Sequence, residues 1–89
     1  MYYVYILRSQ RDGKLYTGFS VDLKRRIQEH KQKKTHTTAR MGEIKLIYYE
    51  AFISEKDAKE REKYLKTTQG KRTLKLMLKH TFAIKAPFV

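Results

Sequence analysis

Two aromatic, apolar runs, YYVYILR (residues 2–8) and KLYTGF (residues 14–19), bracket the segment SQRDGK. Runs rich in β-branched and aromatic residues favour strands. Asp12–Gly13 between them is a strong hairpin signal, because glycine reaches the left-handed backbone conformations of a tight turn at no steric cost. An N-terminal hairpin is therefore the firmest constraint on the fold. It places Tyr5 and Tyr16 on paired strands, as neighbours across the ladder. Gly18, near the end of the second arm, predicts a bulge or a close backbone approach.

The rest of the chain reads as helices around one more strand. Asp22 is placed to cap a helix from Leu23 to about Lys33, with Leu23 and Ile27 inward at i, i+4. The polar stretch KKTHTTARMGE lacks periodicity and reads as a loop. IKLIYYEAF (residues 44–52) is a third strand, and its unbroken apolar and aromatic run predicts burial on both faces and a central position. Ser54 caps a second helix that runs to about Thr67, with Gly70 as its terminator. KRTLKLMLKH then forms a short basic helix with Leu74, Leu78 and Met77 inward. The order β-β-α-β-α-α implies an α+β fold, a small antiparallel or mixed sheet flanked by helices.

At 89 residues the chain suffices for one domain, drawn at residues 1–80, with residues 81–89 as a tail that docks or stays loose. Without cysteine it forms neither a disulfide framework nor a thiolate zinc site. The apolar run from Tyr2 to Leu7 is too short for a signal peptide, and no stretch nears the ~20 residues that span a bilayer. A soluble cytoplasmic protein is the expectation. The formal charge is +12, and no acidic residue follows Gly70. This imbalance calls for a polyanionic partner, nucleic acid ahead of a membrane surface. Phosphate contacts are expected from Lys24, Arg25, Lys31, Lys33, Lys34 and Arg40, with Lys71, Arg72 and Lys75 as a second patch.

Five residues are chemically suggestive. Glu62 follows Ala58 by four and precedes Leu65 by three, which puts a carboxylate on the inner stripe of its helix. There it needs a positive partner. Spacing alone leaves two readings open, a functional site or an i, i+4 pair with Lys66. Arg26 and His30 share one side of the first helix. Tyr5 and Tyr16 complete the set. Tyr2, Tyr3, Tyr48, Tyr49 and Tyr64 read as packing residues.

Together these residues resemble the GIY-YIG nuclease family, and most of all its small stand-alone, single-domain bacterial subgroup. Tyr3-Val4-Tyr5 stands for the first signature and Tyr16-Thr17-Gly18 for the second. Arg26, His30 and the EREKYLK segment containing Glu62 follow in order, so the resemblance runs from about Tyr2 to Lys79. Three features depart from the family pattern. The first signature lacks its glycine, Phe19 follows Gly18 where excision-repair relatives carry lysine, and the chain has no asparagine.

The resemblance implies one antiparallel three-stranded sheet. It also implies an endonuclease hydrolysing DNA phosphodiesters, with branched or damaged DNA as candidate substrates, and a single Mg²⁺ or Mn²⁺ ion at Glu62. DNA is favoured over RNA as partner, and no membrane is expected. Tyr16 would act as base, Tyr5 would position water, Arg26 would stabilise the phosphoryl group, and His30 would share proton transfer or orient Tyr16. Gly18 would let backbone and substrate approach. The alternative is a catalytically silent nucleic-acid-binding module of the same fold.

Overall fold

The computed structural model of the protein describes residues 1–32 and 42–84. Strands β1 (Tyr2–Ser9) and β2 (Leu15–Ser20) form the hairpin. Gly13 takes φ 75°, its N–H donates to the Ser9 carbonyl at 3.0 Å, and Asp12 Oδ1 accepts from the Lys14 N–H at 3.0 Å. The turn therefore uses the Asp–Gly pair for the reasons the sequence suggests. Strand β3 (Ile44–Phe52) pairs antiparallel with β1, giving the sheet order β2-β1-β3.

That order corrects one expectation. The central strand is β1, not β3. Val4, Tyr5, Ile6 and Leu7 are buried on both faces of β1, whereas β3 is half-buried along most of its length. An apolar run rich in tyrosine does not demand full burial, because a tyrosine can hide its ring body and keep its tip wet.

Helix α1 (Leu23–Lys31) starts at Asp22, whose carboxylate accepts the Arg25 N–H at 3.1 Å. It covers the sheet face that carries Tyr5, Leu7, Tyr16 and Leu46, through Leu23 and Ile27. Helices α2 (Glu55–Leu65) and α3 (Thr68–Met77) cover the other face, where Ala58, Leu65 and Leu74 pack on Val4 and Ile6. A short helix α4 (Lys79–Phe82) follows. Arg8 reaches this end of the chain, donating to the Ile84 carbonyl at 3.0 Å and lying near the Phe82 ring.

Two further corrections concern α3. Gly70 does not end α2, which stops at Leu65. Thr67 caps α3 by accepting the Gly70 N–H at 3.0 Å, so Gly70 lies in the first turn of α3. Glycine is needed there because a Cβ would collide with the Tyr64 carbonyl and the Leu65 backbone. The same close approach seats α3 against α2. Met77, expected inward, is exposed instead, while Leu74 is buried and Leu78 half-buried.

A bridge that no local pattern announces ties α2 to β3. Arg61 donates to both oxygens of Glu50, at 2.8 and 2.9 Å, and Tyr48 donates to the same carboxylate. Burial alone would raise the Glu50 carboxyl, but the bonds from Arg61 and Tyr48 outweigh it and hold it below the usual range. Burial and the adjacent carboxylate push the Tyr48 phenol up to about 12.

The α2–α3 joint yields a direct test. Gly70→Ala forces a methyl group against backbone that cannot yield as a side chain could. It is expected to cost about 2 kcal/mol, a fall in melting temperature on the order of 10 °C for a domain of this size. Thermal denaturation followed by circular dichroism measures it, and a wild-type midpoint would show that the joint is loose.

Candidate active site

The site is built around the side chain of Tyr5. Gly18 is its register partner on β2. A Cβ on Gly18 would fall on the tip of the Tyr5 ring. The absent side chain thus makes room for Tyr5 to lie across β2, which gives Gly18 a different purpose from the substrate approach expected of it. The ring carries the Tyr5 hydroxyl from the central strand out over the edge strand.

The other residues gather at that hydroxyl. His30, in the last turn of α1, is buried and lies with Nε2 2.8 Å from the Tyr5 oxygen. Its ring stands edge-on to both tyrosines, with centroids 5.6 Å from Tyr5 and 5.2 Å from Tyr16. The two tyrosine rings are 6.3 Å apart. Tyr16 faces Leu7 in the ladder and so approaches Tyr5 diagonally. Arg26, one turn before His30, donates to Glu29 at 3.1 Å and also engages the Tyr5 hydroxyl.

Glu62 comes from α2, whose apolar residues pack on the opposite face of the sheet. Its carboxylate is 22% exposed and accepts from Lys66 at 3.0 Å. Its negative charge is nevertheless felt at the Tyr5 hydroxyl. Of the two readings left open by the spacing, the i, i+4 pair with Lys66 is the one formed here.

The electrostatics assign protonation states. Burial pushes the Tyr5 phenol up to about 12, and the Arg26 guanidinium only partly opposes this. Tyr5 is therefore a protonated phenol near neutrality. Burial lowers the His30 pKa, the Arg26 charge lowers it further, and Glu29 pulls the other way. His30 is accordingly a neutral imidazole. The bond to Tyr5 raises the Arg26 pKa, and Glu29 adds to that rise. A fixed cation, a neutral imidazole and two tyrosine hydroxyls form a set suited to an anionic phosphate.

The remaining candidate residues are distributed as follows. Lys24, Arg25 and Lys31 are exposed on α1, and Lys71, Arg72 and Lys75 are exposed on α3. Lys33, Lys34 and Arg40 lie outside the described residues. Tyr2 stacks on Phe19, and Tyr64 packs against the core while bonding Thr73. Tyr49, read as a packing residue, is 52% exposed. A strand pattern signals which face a residue occupies but not whether anything covers that face.

Among the described residues no three His, Asp or Glu side chains cluster as a closed metal cage. The donor set still fits a hard divalent ion. Magnesium characteristically takes one or two carboxylates and fills its remaining positions with water and substrate phosphate. Glu62 offers one partly exposed carboxylate to such an ion.

The hairpin, the helix bearing Arg26 and His30, and the helix bearing Glu62 define a nuclease-type catalytic domain. A family model for the GIY-YIG catalytic domain matches residues 1–75, and the chain belongs to that family. It is 38% identical over 79 residues to a UPF0213 protein of Clostridium perfringens, covering 86% of this chain and 83% of that one. It is 43% identical over 75 residues to a UPF0213 protein of Streptococcus agalactiae, covering 80% and 83%. The fold is similar to the solution NMR structure of a UPF0213 protein from Bacillus halodurans, with TM-score 0.55, 35% identity, and 86% and 85% of the two chains covered.

The buried imidazole makes stability depend on pH. Its folded pKa lies below the 6.5 of a free histidine, so the unfolded chain binds the proton more readily. Stability is therefore full above about pH 6.5 and falls as pH drops from there towards the folded pKa. Denaturant titrations at a series of pH values should show this decline. His30→Gln should flatten it, and an equal slope in both proteins would assign the dependence elsewhere.

Proposed function

We propose that the protein is a divalent-metal-dependent endonuclease that hydrolyses phosphodiester bonds in DNA. The observation that carries this reading is the convergence of Tyr5, Tyr16, Arg26 and His30 at one sheet edge, with the charge of Glu62 felt there. A packing cluster has no need of a guanidinium, an imidazole and a carboxylate around two phenols.

In this reading Arg26 binds a non-bridging phosphate oxygen and meets the charge that grows in the transition state. Tyr5 keeps its proton and can orient an attacking water through its oxygen, held in place by His30. Tyr16 takes the proton from that water as its phenolate, its own hydroxyl proton having first left to solvent. Neutral His30 is a second acceptor within reach of the same network. Glu62 would hold Mg²⁺ or Mn²⁺, which when bound supplies charge neutralisation at the leaving oxygen. Lys66 now occupies that carboxylate and must give way. Lysines and arginines exposed on α1 and α3 supply phosphate contacts, and a cytoplasmic setting suits a chain with this charge and no cysteine.

Two variants separate chemistry from binding. Glu62→Gln should lower Mg²⁺- or Mn²⁺-dependent cleavage by orders of magnitude while leaving metal-free DNA affinity equal or slightly higher, since a negative charge leaves a site meant for phosphate. Arg26→Ala should cost on the order of 10²–10³ in rate with only a modest loss of affinity. The assay is a panel of branched, flapped, single-stranded and duplex substrates with each metal. No metal-dependent cleavage of any of them by the wild type would leave a silent binding module as the better account.

A further inference from the structure

Helix α1 has a second flank. Arg26 and His30 look towards β2, and on the opposite flank a groove of about 650 Å³ opens between α1 and the β3 side of the sheet. Leu23, Ile27 and Leu46 give it apolar walls, and Lys24 and Lys31 border it. The rings of Tyr3 and Tyr49 lie in it edge to face, with centroids 6.1 Å apart.

Tyr49 is the informative residue. It pairs directly with buried Tyr5 in the ladder, so it belongs to the inner face under α1. Yet it is 52% exposed, and Val21 at the groove's end is 58% exposed. An aromatic side chain left open beside an apolar wall forgoes burial that folding would otherwise exploit. The groove lies within the size range that holds small organic ligands. Its chemistry asks for a ligand with a flat apolar face and a neighbouring negative charge.

An unpaired nucleotide meets both demands. Its base can stack on a tyrosine ring whatever its identity, and its phosphates can meet lysines. A duplex cannot use the groove in this way, because its base faces are already stacked on one another. Asp22 is the acidic residue at the groove, and its carboxylate is engaged as the α1 cap. Lys24 and Lys31 at the groove leave it with a net positive charge.

We infer that this groove binds single-stranded nucleic acid, with a base against Tyr49 and Tyr3 and the flanking phosphates against Lys24 and Lys31. The binding needs no metal and no cleavage, so it stands or falls separately from the nuclease reading. If both hold, a single-stranded branch is gripped on one side of α1 while a phosphodiester is presented on the other.

Fluorescence anisotropy on the full chain without divalent metal tests this. The probes are labelled oligo-dT and oligo-U of about ten nucleotides, within the usual site size of single-strand binders, and a blunt duplex. Tyr49→Ala should weaken single-strand binding roughly tenfold and leave duplex binding close to wild type. Tyr49→Phe, which keeps the ring, should bind as wild type and guards against a folding artefact. Lys24→Gln with Lys31→Gln should weaken binding and reduce the salt slope by about one to two. Preference between the dT and U probes identifies DNA or RNA as the source of the strand, and either supports the inference. Glu62→Gln should keep single-strand binding even if it abolishes cleavage. Unchanged single-strand affinity in Tyr49→Ala, or an equal loss on duplex, would overturn the proposal. So would a shift from dimer to monomer in Tyr49→Ala by analytical ultracentrifugation, which would make the groove a contact between copies.

Discussion

The site hangs on the buried hydrogen bond between Tyr5 and His30. Tyr5 belongs to the central strand and His30 to the last turn of α1, so this bond fixes the end of a nine-residue helix to the middle of the sheet. Both partners are almost fully shielded from water. In that setting breaking the bond leaves a polar group without solvent to replace its partner, which costs more than the bond itself contributes. Leu23 and Ile27 hold the helix down by burial, but burial is not directional. The hydrogen bond sets which way α1 is turned, and with it where Arg26 points.

Helix α2, which carries Glu62, is held by other means. Arg61, next to Glu62, is locked in a two-pronged bond to Glu50 on β3, and Ala58 and Leu65 seat the helix on β1. Adjacent residues of α2 therefore face different ways, one anchoring the helix to β3 and the next pairing along the helix with Lys66. Lys66 gives Glu62 a counter-charge along the helix. A partly exposed pair of this kind contributes little to stability, so exchanging one cation for another need not disturb the fold.

The fold was legible wherever a local rule applied. The Asp12–Gly13 turn, the Asp22 and Ser54 caps and the start of α1 all follow from chemistry within a few residues. What escaped depends on contacts distant in sequence. Burial on both faces was expected of β3 because aromatic residues count as apolar, and the ladder instead puts β1 in the centre. Gly70 was expected to end a helix, since nothing in KTTQGKR shows that the Tyr64 carbonyl will press against it. At the site, the residue types and their spacing were readable. The hydrogen bond between Tyr5 and His30 was not, because no spacing rule spans 25 residues and two elements. The Glu50–Arg61 bridge and the exposure of Tyr49 escaped for the same reason.

The ring of Tyr5 lying where a Gly18 side chain would be has a consequence for how such a chain can change over generations. The two positions behave as one inherited character. While Tyr5 is present, any side chain at position 18 meets the ring, so a substitution there costs stability. Should Tyr5 first give way to a shorter residue, position 18 is released and can accept a Cβ. Restoring tyrosine alone would then produce a clash that its ancestor never had. Coupling between contacting residues makes the order of substitutions matter. Loss of this tyrosine is thus a ratchet, readily entered by one step and left only by two.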